Sequence, residues 1–341
     1  MRVLIVKMSS LGDVIHTFPA VTELCDWKMD AEVHWVVEEA FADVPGLHPG
    51  VHRVWPCAIR RWRKNWWAAR KEVRAFAGEL RKQNFDVVVD AQGLVKSSIV
   101  SSLVRAPVHG YGYGSAREGV AAALYTRRHK VDRERHAVQR TRRLFADIFR
   151  YPLVDRVNYG LRVTDASSSR GAVMFLHGTT WDSKHWPDEA WQELAKIVTD
   201  EGYEVRVPWL SEAEHTRAKL IAKVSDKVSL IEPGSISVLA SEIANCRGIV
   251  SVDTGLGHLA AALGVPMVGL FGSTDPNKTG FLGENEVSLI AKNRPDCAPC
   301  LRRECMLLSD TIRVPPCFLT LTPQEVWSTL GSLTAGSQGE P

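Results

Sequence analysis

Short runs of four or five apolar residues recur along this chain. Each is followed by a small polar turn and then by a stretch with apolar positions every three or four residues. Runs of the first kind read as buried strands of a parallel sheet, stretches of the second kind as amphipathic helices. The pattern predicts strands at 3–6, 33–37, 51–55 and 85–89, and helices over 14–24, 62–80, 97–104, 117–125 and 135–149. Pro19, inside the 14–24 stretch, either kinks that helix or marks its effective start. Residues 151–171 lose the rhythm; Pro152, Asn158, Gly160 and Ser167–Ser169 read as a connection between domains. Alternation then resumes, with strands at 173–176 and 205–208 and helices over 188–199, 212–224, 235–244 and 325–330. Segment 249–276 reads as a strand, a glycine turn, a short helix, a second strand and a polar loop. The fold class expected is α/β, with two doubly wound parallel-sheet domains at 1–160 and 161–333 and a disordered tail over 334–341. Ligands in such sheets bind beyond the carboxyl ends of the strands, so two facing domains are expected to share a cleft.

Composition adds limits. Apolar content of 45% and charged content of 24% are those of a soluble globular protein. The apolar run at the amino terminus is too short for a signal peptide, and no run is long enough to span a bilayer, so a cytoplasmic location is expected. The net charge of +3 hides an asymmetry. Residues 1–165 hold 27 Lys/Arg against 18 Asp/Glu, a net of +9, and residues 166–341 hold 15 against 21, a net of −6. The basic half points to an anionic partner. No known nucleic-acid-binding fold is apparent, so nucleic acid is not expected.

The candidate chemistry lies in loops that follow strands. Asp253-Thr254-Gly255-Leu256-Gly257-His258 joins a strand to a helix start, where free N–H groups and the helix dipole hold phosphate. The same stretch, through Ala260, fits the G-x-G-x-x-A dinucleotide pattern with Asp275 as the later acidic residue, which keeps an NAD-dependent enzyme or a nucleotide-binding protein as a minor reading. Thr179, Thr180 and Lys184, before the helix announced by Pro187, offer hydroxyls, N–H groups and a point charge to a diphosphate. Ser9-Ser10-Leu11-Gly12-Asp13 follows the first strand; Asp13 reads equally as a proton acceptor or as a helix cap. Arg60, Arg61, Arg63 and Lys64 are interleaved with Trp62, Trp66 and Trp67, a mixture suited to phosphates and to a membrane interface. Arg117 adds to this supply, and His136, Arg140 and Arg143 share one helical face at i, i+4 and i+7. Cys297, Cys300, Cys305 and Cys317 cluster late; the spacing allows a structural metal and equally well reduced or redox-active thiols.

Four segments together carry a specific resemblance: Arg2–Ala20, Asp90–Ser97, Lys184–Pro187 and Ser251–Ala260. They resemble the lipopolysaccharide heptosyltransferases of glycosyltransferase family 9, and the likeness runs from residue 1 to about 330. The resemblance implies a GT-B fold of two Rossmann-like domains, the first binding the acceptor and the second the donor. It implies transfer of L-glycero-D-manno-heptose from ADP-heptose to Kdo of Kdo-lipid A, with inversion, by an enzyme without a catalytic metal or cofactor. A related enzyme adding a later heptose is the alternative. The resemblance makes Asp13 the general base and assigns the donor to Thr179, Thr180, Lys184, Glu214, Asp253, Thr254, Gly255 and His258. The acceptor falls to Ser10, Gly12, Gln92 and the basic residues of the first domain, with peripheral contact to the anionic inner membrane. Trp181 stands where the family pattern suggests a charged residue.

Overall fold

The computed structural model describes residues 1–163, 171–309, 312 and 314–336. The connection expected at Ser167–Ser169 and residues 337–341 of the expected tail lie outside them. The chain divides into two compact units, Met1–Arg162 and Val163–Pro341.

In the first unit the elements run β1 (Arg2–Val6), α1 (Leu11–Ile15), α2 (Phe18–Trp27), β2 (Glu32–Glu38), β3 (Val51–Cys57), α3 (Ile59–Lys64), α4 (Trp66–Arg81), β4 (Val87–Asp90), α5 (Val95–Ser101), β5 (Val108–Tyr111), β6 (Arg127–His129) and α6 (Ala137–Phe149). All six strands are parallel, in the order β3-β2-β1-β4-β5-β6. Val3 to Val6 are fully buried, which is why β1 reads as an unbroken apolar run. The winding reverses between β1 and β4, where Val6 pairs with Asp90. Loops leaving the carboxyl ends of these two strands therefore flank a topological switch point, where doubly wound sheets hold ligands.

Local chemistry sets the helix boundaries. Pro19 lies in the first turn of α2, where its missing N–H costs nothing, so it marks a start and not a kink. The helix expected over 62–80 is instead two helices. Asn65, at φ −144° and ψ 77°, breaks the chain direction, and its side chain accepts the Ala68 N–H at 3.2 Å to begin α4. The helix expected over 117–125 is a 3-10 segment, Gly119–Leu124, of which only Ala121 and Ala122 are buried. The buried Arg142 guanidinium ties α6 to α2 through Glu23 and is also held by Gln139 and by the Val154 and Arg156 carbonyls.

The second unit repeats the plan: β7 (Ala172–Leu176), α7 (Asp188–Asp200), β8 (Glu204–Pro208), α8 (Glu212–Ala222), β9 (Val228–Ile231), α9 (Ile236–Ala244), β10 (Gly248–Val252), α10 (Gly255–Ala262), β11 (Met267–Phe271), α11 (Pro276–Thr279), β12 (Glu286–Ile290) and α12 (Pro323–Gly336). Its parallel order is β12-β11-β10-β7-β8-β9, the same winding, with the switch between β7 and β10, where Leu176 pairs with Ser251. Phe175, Trp186, Trp191 and Leu330 lie in its core. Helix α12 passes the expected end at residue 330 and takes in Thr334, which is buried, so the first residues of the expected disordered tail are helical.

Candidate active site

The switch point of the second unit gathers most of the predicted donor residues around Asp253, which follows β10. Its Oδ2 receives the Lys184 ammonium at 2.8 Å and the Thr274 hydroxyl at 2.7 Å, and its Oδ1 faces His258 Nε2 at 3.6 Å. Burial would raise the pKa of Asp253, but His258 and Lys184 outweigh it and hold the carboxyl well below the ordinary carboxylate range. Lys184 ends a 3-10 turn, Asp182–Lys184, which aims its side chain at Asp253 and over the Trp181 ring, 4.4 Å from the centroid. An ammonium has three donors, so the bond to Asp253 leaves two for a ligand. Thr179 contacts the Asp253 carbonyl at 3.5 Å, and Thr180 is exposed beside it.

Thr254 caps α10 without a side-chain bond, leaving the N–H groups from Gly255 to Gly257 for an anion. Gly257 is a packing residue: a Cβ there would collide with the Phe281 ring and Ser251. Glu214 accepts the Leu210 and Ser211 N–H groups at 2.7 and 3.2 Å, closing the capping box of α8, and its carboxylate lies against Gly178 in the loop after β7.

In the first unit Asp13 lies in α1, immediately after β1. Its Oδ2 accepts the Ser10 N–H and hydroxyl at 2.9 and 3.0 Å, and its Oδ1 faces the Lys7 ammonium at 3.6 Å. Asp13 is therefore a capping group, and its partly exposed carboxylate lies at the switch point. Burial raises its pKa, but Lys7 first, then His16, the Ser10 N–H and Arg117, bring it down to about 2. Gln92, after β4, locks the loop by accepting the Met8 N–H at 2.8 Å and donating to the Ser9 carbonyl at 2.8 Å. Gly12 is buried at the start of α1.

The predicted acceptor residues separate. Arg117 is close enough to act on the Asp13 charge, His136 meets the His16 ring at 5.8 Å, and Arg140 lies over Tyr111 and donates to the Ser115 carbonyl. Arg143, at the third position of that helical face, pairs with Asp147 at 2.9 Å. Arg61 is occupied by Glu39 and Glu72, at 3.1 and 2.7 Å, and Arg60 sits over Phe41. Arg63 and Lys64 are exposed.

The model of glycosyltransferase family 9 (heptosyltransferase) matches residues 73–309. A lipopolysaccharide heptosyltransferase 1 from Pseudomonas aeruginosa is 45% identical, over 98% of each chain. The solved structure of Escherichia coli heptosyltransferase WaaC with ADP superposes with a TM-score of 0.87 at 37% identity, covering 98% of this chain and 100% of that one. The same enzyme with ADP-2-deoxy-2-fluoro heptose gives 0.85, covering 97% and 99%. This chain belongs to glycosyltransferase family 9. It is a glycosyltransferase of GT-B type, and its two similarly wound sheets are those of that fold.

Family membership sets aside the dinucleotide reading, and the geometry agrees. Gly255 and Gly257 lie inside a helix, and Asp275 caps α11 by accepting the Asn277 N–H at 3.0 Å. The four late cysteines line one cavity of about 20 Å³ as free thiols. Among the described residues no group of three or more His, Cys, Asp or Glu is arranged to hold a metal ion. Two partners, one in each unit, escaped the sequence reading. Lys7 ends the first apolar run, where a lone cation beside a carboxylate loop was the available signal. Thr274 lies in the 272–276 loop, which read only as a polar lining.

Proposed function

We propose that this family 9 enzyme transfers L-glycero-D-manno-heptose from ADP-heptose to Kdo of Kdo-lipid A, with inversion at the anomeric carbon. The observation that carries the reading is the Lys184–Asp253–His258 cluster beside the open amino end of α10, a diphosphate site at the switch point of the second unit. The relative at 37% identity was solved with ADP, which supports the donor.

In this mechanism the acceptor hydroxyl attacks the anomeric carbon while the bond from that carbon to the ADP oxygen breaks. The hydroxyl proton passes to Asp13, and ADP leaves with the bonding electrons. Lys184 and the N–H groups of Thr180 and Gly255 stabilise the charge growing on the leaving diphosphate. ADP-heptose is a co-substrate, and the reaction uses no cofactor. Incubation with ADP-heptose and Kdo-lipid A should give a product heavier by one heptose in mass spectrometry; unchanged acceptor mass would reject the reading, and reaction only with a heptosylated acceptor would favour the later-heptose alternative.

Among the described residues no helix is long and apolar enough to cross a membrane. The acyl chains of the proposed acceptor therefore call for peripheral contact on the cytoplasmic face of the inner membrane. Helices α3 and α4 suit that contact, with Arg63 and Lys64 exposed beside Trp66 and Trp67, which are 57% and 76% exposed. Neutralising Arg60, Arg63 and Lys64 while keeping the paired Arg61 should weaken binding to phosphatidylglycerol vesicles at low salt; equal co-sedimentation would exclude this surface.

A further inference from the structure

A second basic feature shares no lining residue with the sites assigned above. Strands β5 and β6 and the carboxyl end of α6 enclose a groove of about 820 Å³. Pro107, before β5, and Arg150, after α6, place one end of it at the amino ends of the strands. The groove runs to Lys130, after the carboxyl end of the edge strand β6, which β5 separates from β4 and β1, the strands that lead to Gln92 and Asp13. We propose that this groove binds a phosphoryl group, at a site distinct from those for donor and acceptor.

The charge in the groove is one-sided. Arg127, Arg128, Lys130 and Arg150 line it, and its one acid, Asp147, is already matched by Arg143 at 2.9 Å. Arg128 is turned towards the Ala122 and Ala123 carbonyls. Among the described residues the side chains of Arg127, Lys130 and Arg150 are exposed and form no hydrogen bond or ion pair. The carbonyl end of α6 accounts for a cation at Arg150, through the helix dipole, but not for Arg127 or Lys130.

Between these cations lie two imidazoles, with His109 Nδ1 3.0 Å from His129 Nε2 and the rings stacked at 5.3 Å. One ring must accept from the other, so the neutral pair, part of the groove lining, carries one outer N–H and one outer acceptor nitrogen. Burial first, then His129 and Arg127, hold the His109 pKa down to about 4. Arginine forks, an ammonium and an imidazole N–H form a donor set matched to phosphate oxygens. The volume is that of a small-molecule site, wider than a single ion needs. A phosphorylated metabolite and a phospholipid headgroup both carry this group.

The test reads the groove locally. Imidazole NMR signals of His109 and His129, assigned by their loss in H109Q and H129Q, are followed while inorganic phosphate is added to the full chain. Saturable shifts are expected, at least tenfold weaker in the exposed-site variant R127Q/K130Q/R150Q. No saturable shift, or equal shifts in that variant with an unchanged melting temperature, would overturn the proposal. Vesicles of phosphatidylglycerol in phosphatidylcholine then identify the source: shifts abolished in the triple variant assign a headgroup, and shifts with phosphate alone assign a free phosphorylated molecule. The readout does not depend on heptose transfer, so failure of the functional reading and failure of this site are separable.

Discussion

Asp13 is held at a pKa of about 2 by Lys7 and its neighbours, so it is ionised at neutral pH. A carboxylate held that low is a weak base, so in the proposed mechanism it takes the acceptor proton only as bond formation makes the hydroxyl acidic. Asp13→Asn should therefore reduce turnover by at least 100-fold while leaving ADP-heptose binding, measured by calorimetry, within about twofold. Lys7→Met tests the electrostatics. It removes the largest lowering influence, so the Asp13 pKa rises and the acid limb of the kcat/KM profile should move to higher pH than in the parent enzyme. Superimposable profiles would show that Lys7 does not set this pKa. In the second unit Lys184→Ala removes the proposed donor to the diphosphate and leaves Asp253 to His258 and Thr274; a loss of about 100-fold in kcat/KM with weaker ADP binding is expected. Unchanged ADP affinity would place Lys184 outside the donor contact.

At the scale of elements, burial decides what a sequence shows. The central strands β1, β2, β4, β7 and β10 are apolar runs because helices cover both their faces, and each is visible in the pattern. β5, β6, β9 and β12 went unseen: Val108-His-Gly-Tyr and Arg127-Arg-His are too short and polar to stand out, and the burial of β9 and β12 is only partial. The turns after β1, β7 and β10 were legible because their polar residues stand directly against apolar runs. The roles of Lys7 and Thr274 were not, since each depends on a partner six and 21 residues away. The same blindness applies to the joint between α2 and α6. Nothing local marks Arg142 as different from Arg140 or Arg143, yet Arg142 is buried against Glu23. Arg142→Met leaves the Glu23 charge buried without its partner and should cost about 3–5 kcal/mol in urea unfolding, against a few tenths for Arg143→Met at the exposed Asp147 pair. Equal losses would mean that the Arg142 pair is no more than a surface contact.

Across the whole molecule the buried imidazoles are expected to lower stability at higher pH than the site carboxylates do. His34, His48, His109 and His177 each have a pKa lowered to about 4, in every case chiefly by burial. Hydrogen bonding agrees. His34 Nδ1 accepts from the Trp55 indole at 3.2 Å and His48 Nδ1 from the Gly50 N–H at 3.0 Å, so protonation at either nitrogen breaks a buried bond. Between about pH 6.5 and 4 the unfolded chain binds these protons and the folded chain does not, so stability falls as pH falls through that window. Asp13 and Asp253 act with the same sign but lower: their depressed values add stability above the ordinary aspartate pKa, lost only as pH drops below about 4. Asp90, with a raised pKa, works in the opposite direction and relieves part of that loss. Urea unfolding from pH 7 to 4 should show stability falling with a slope of roughly two to four protons taken up on unfolding. His34→Gln and His48→Gln should each remove up to one proton from that slope, whatever they do to stability at pH 7. A profile level down to pH 4 would mean that these imidazoles are protonated within the folded protein and that their burial does not govern its acid limit.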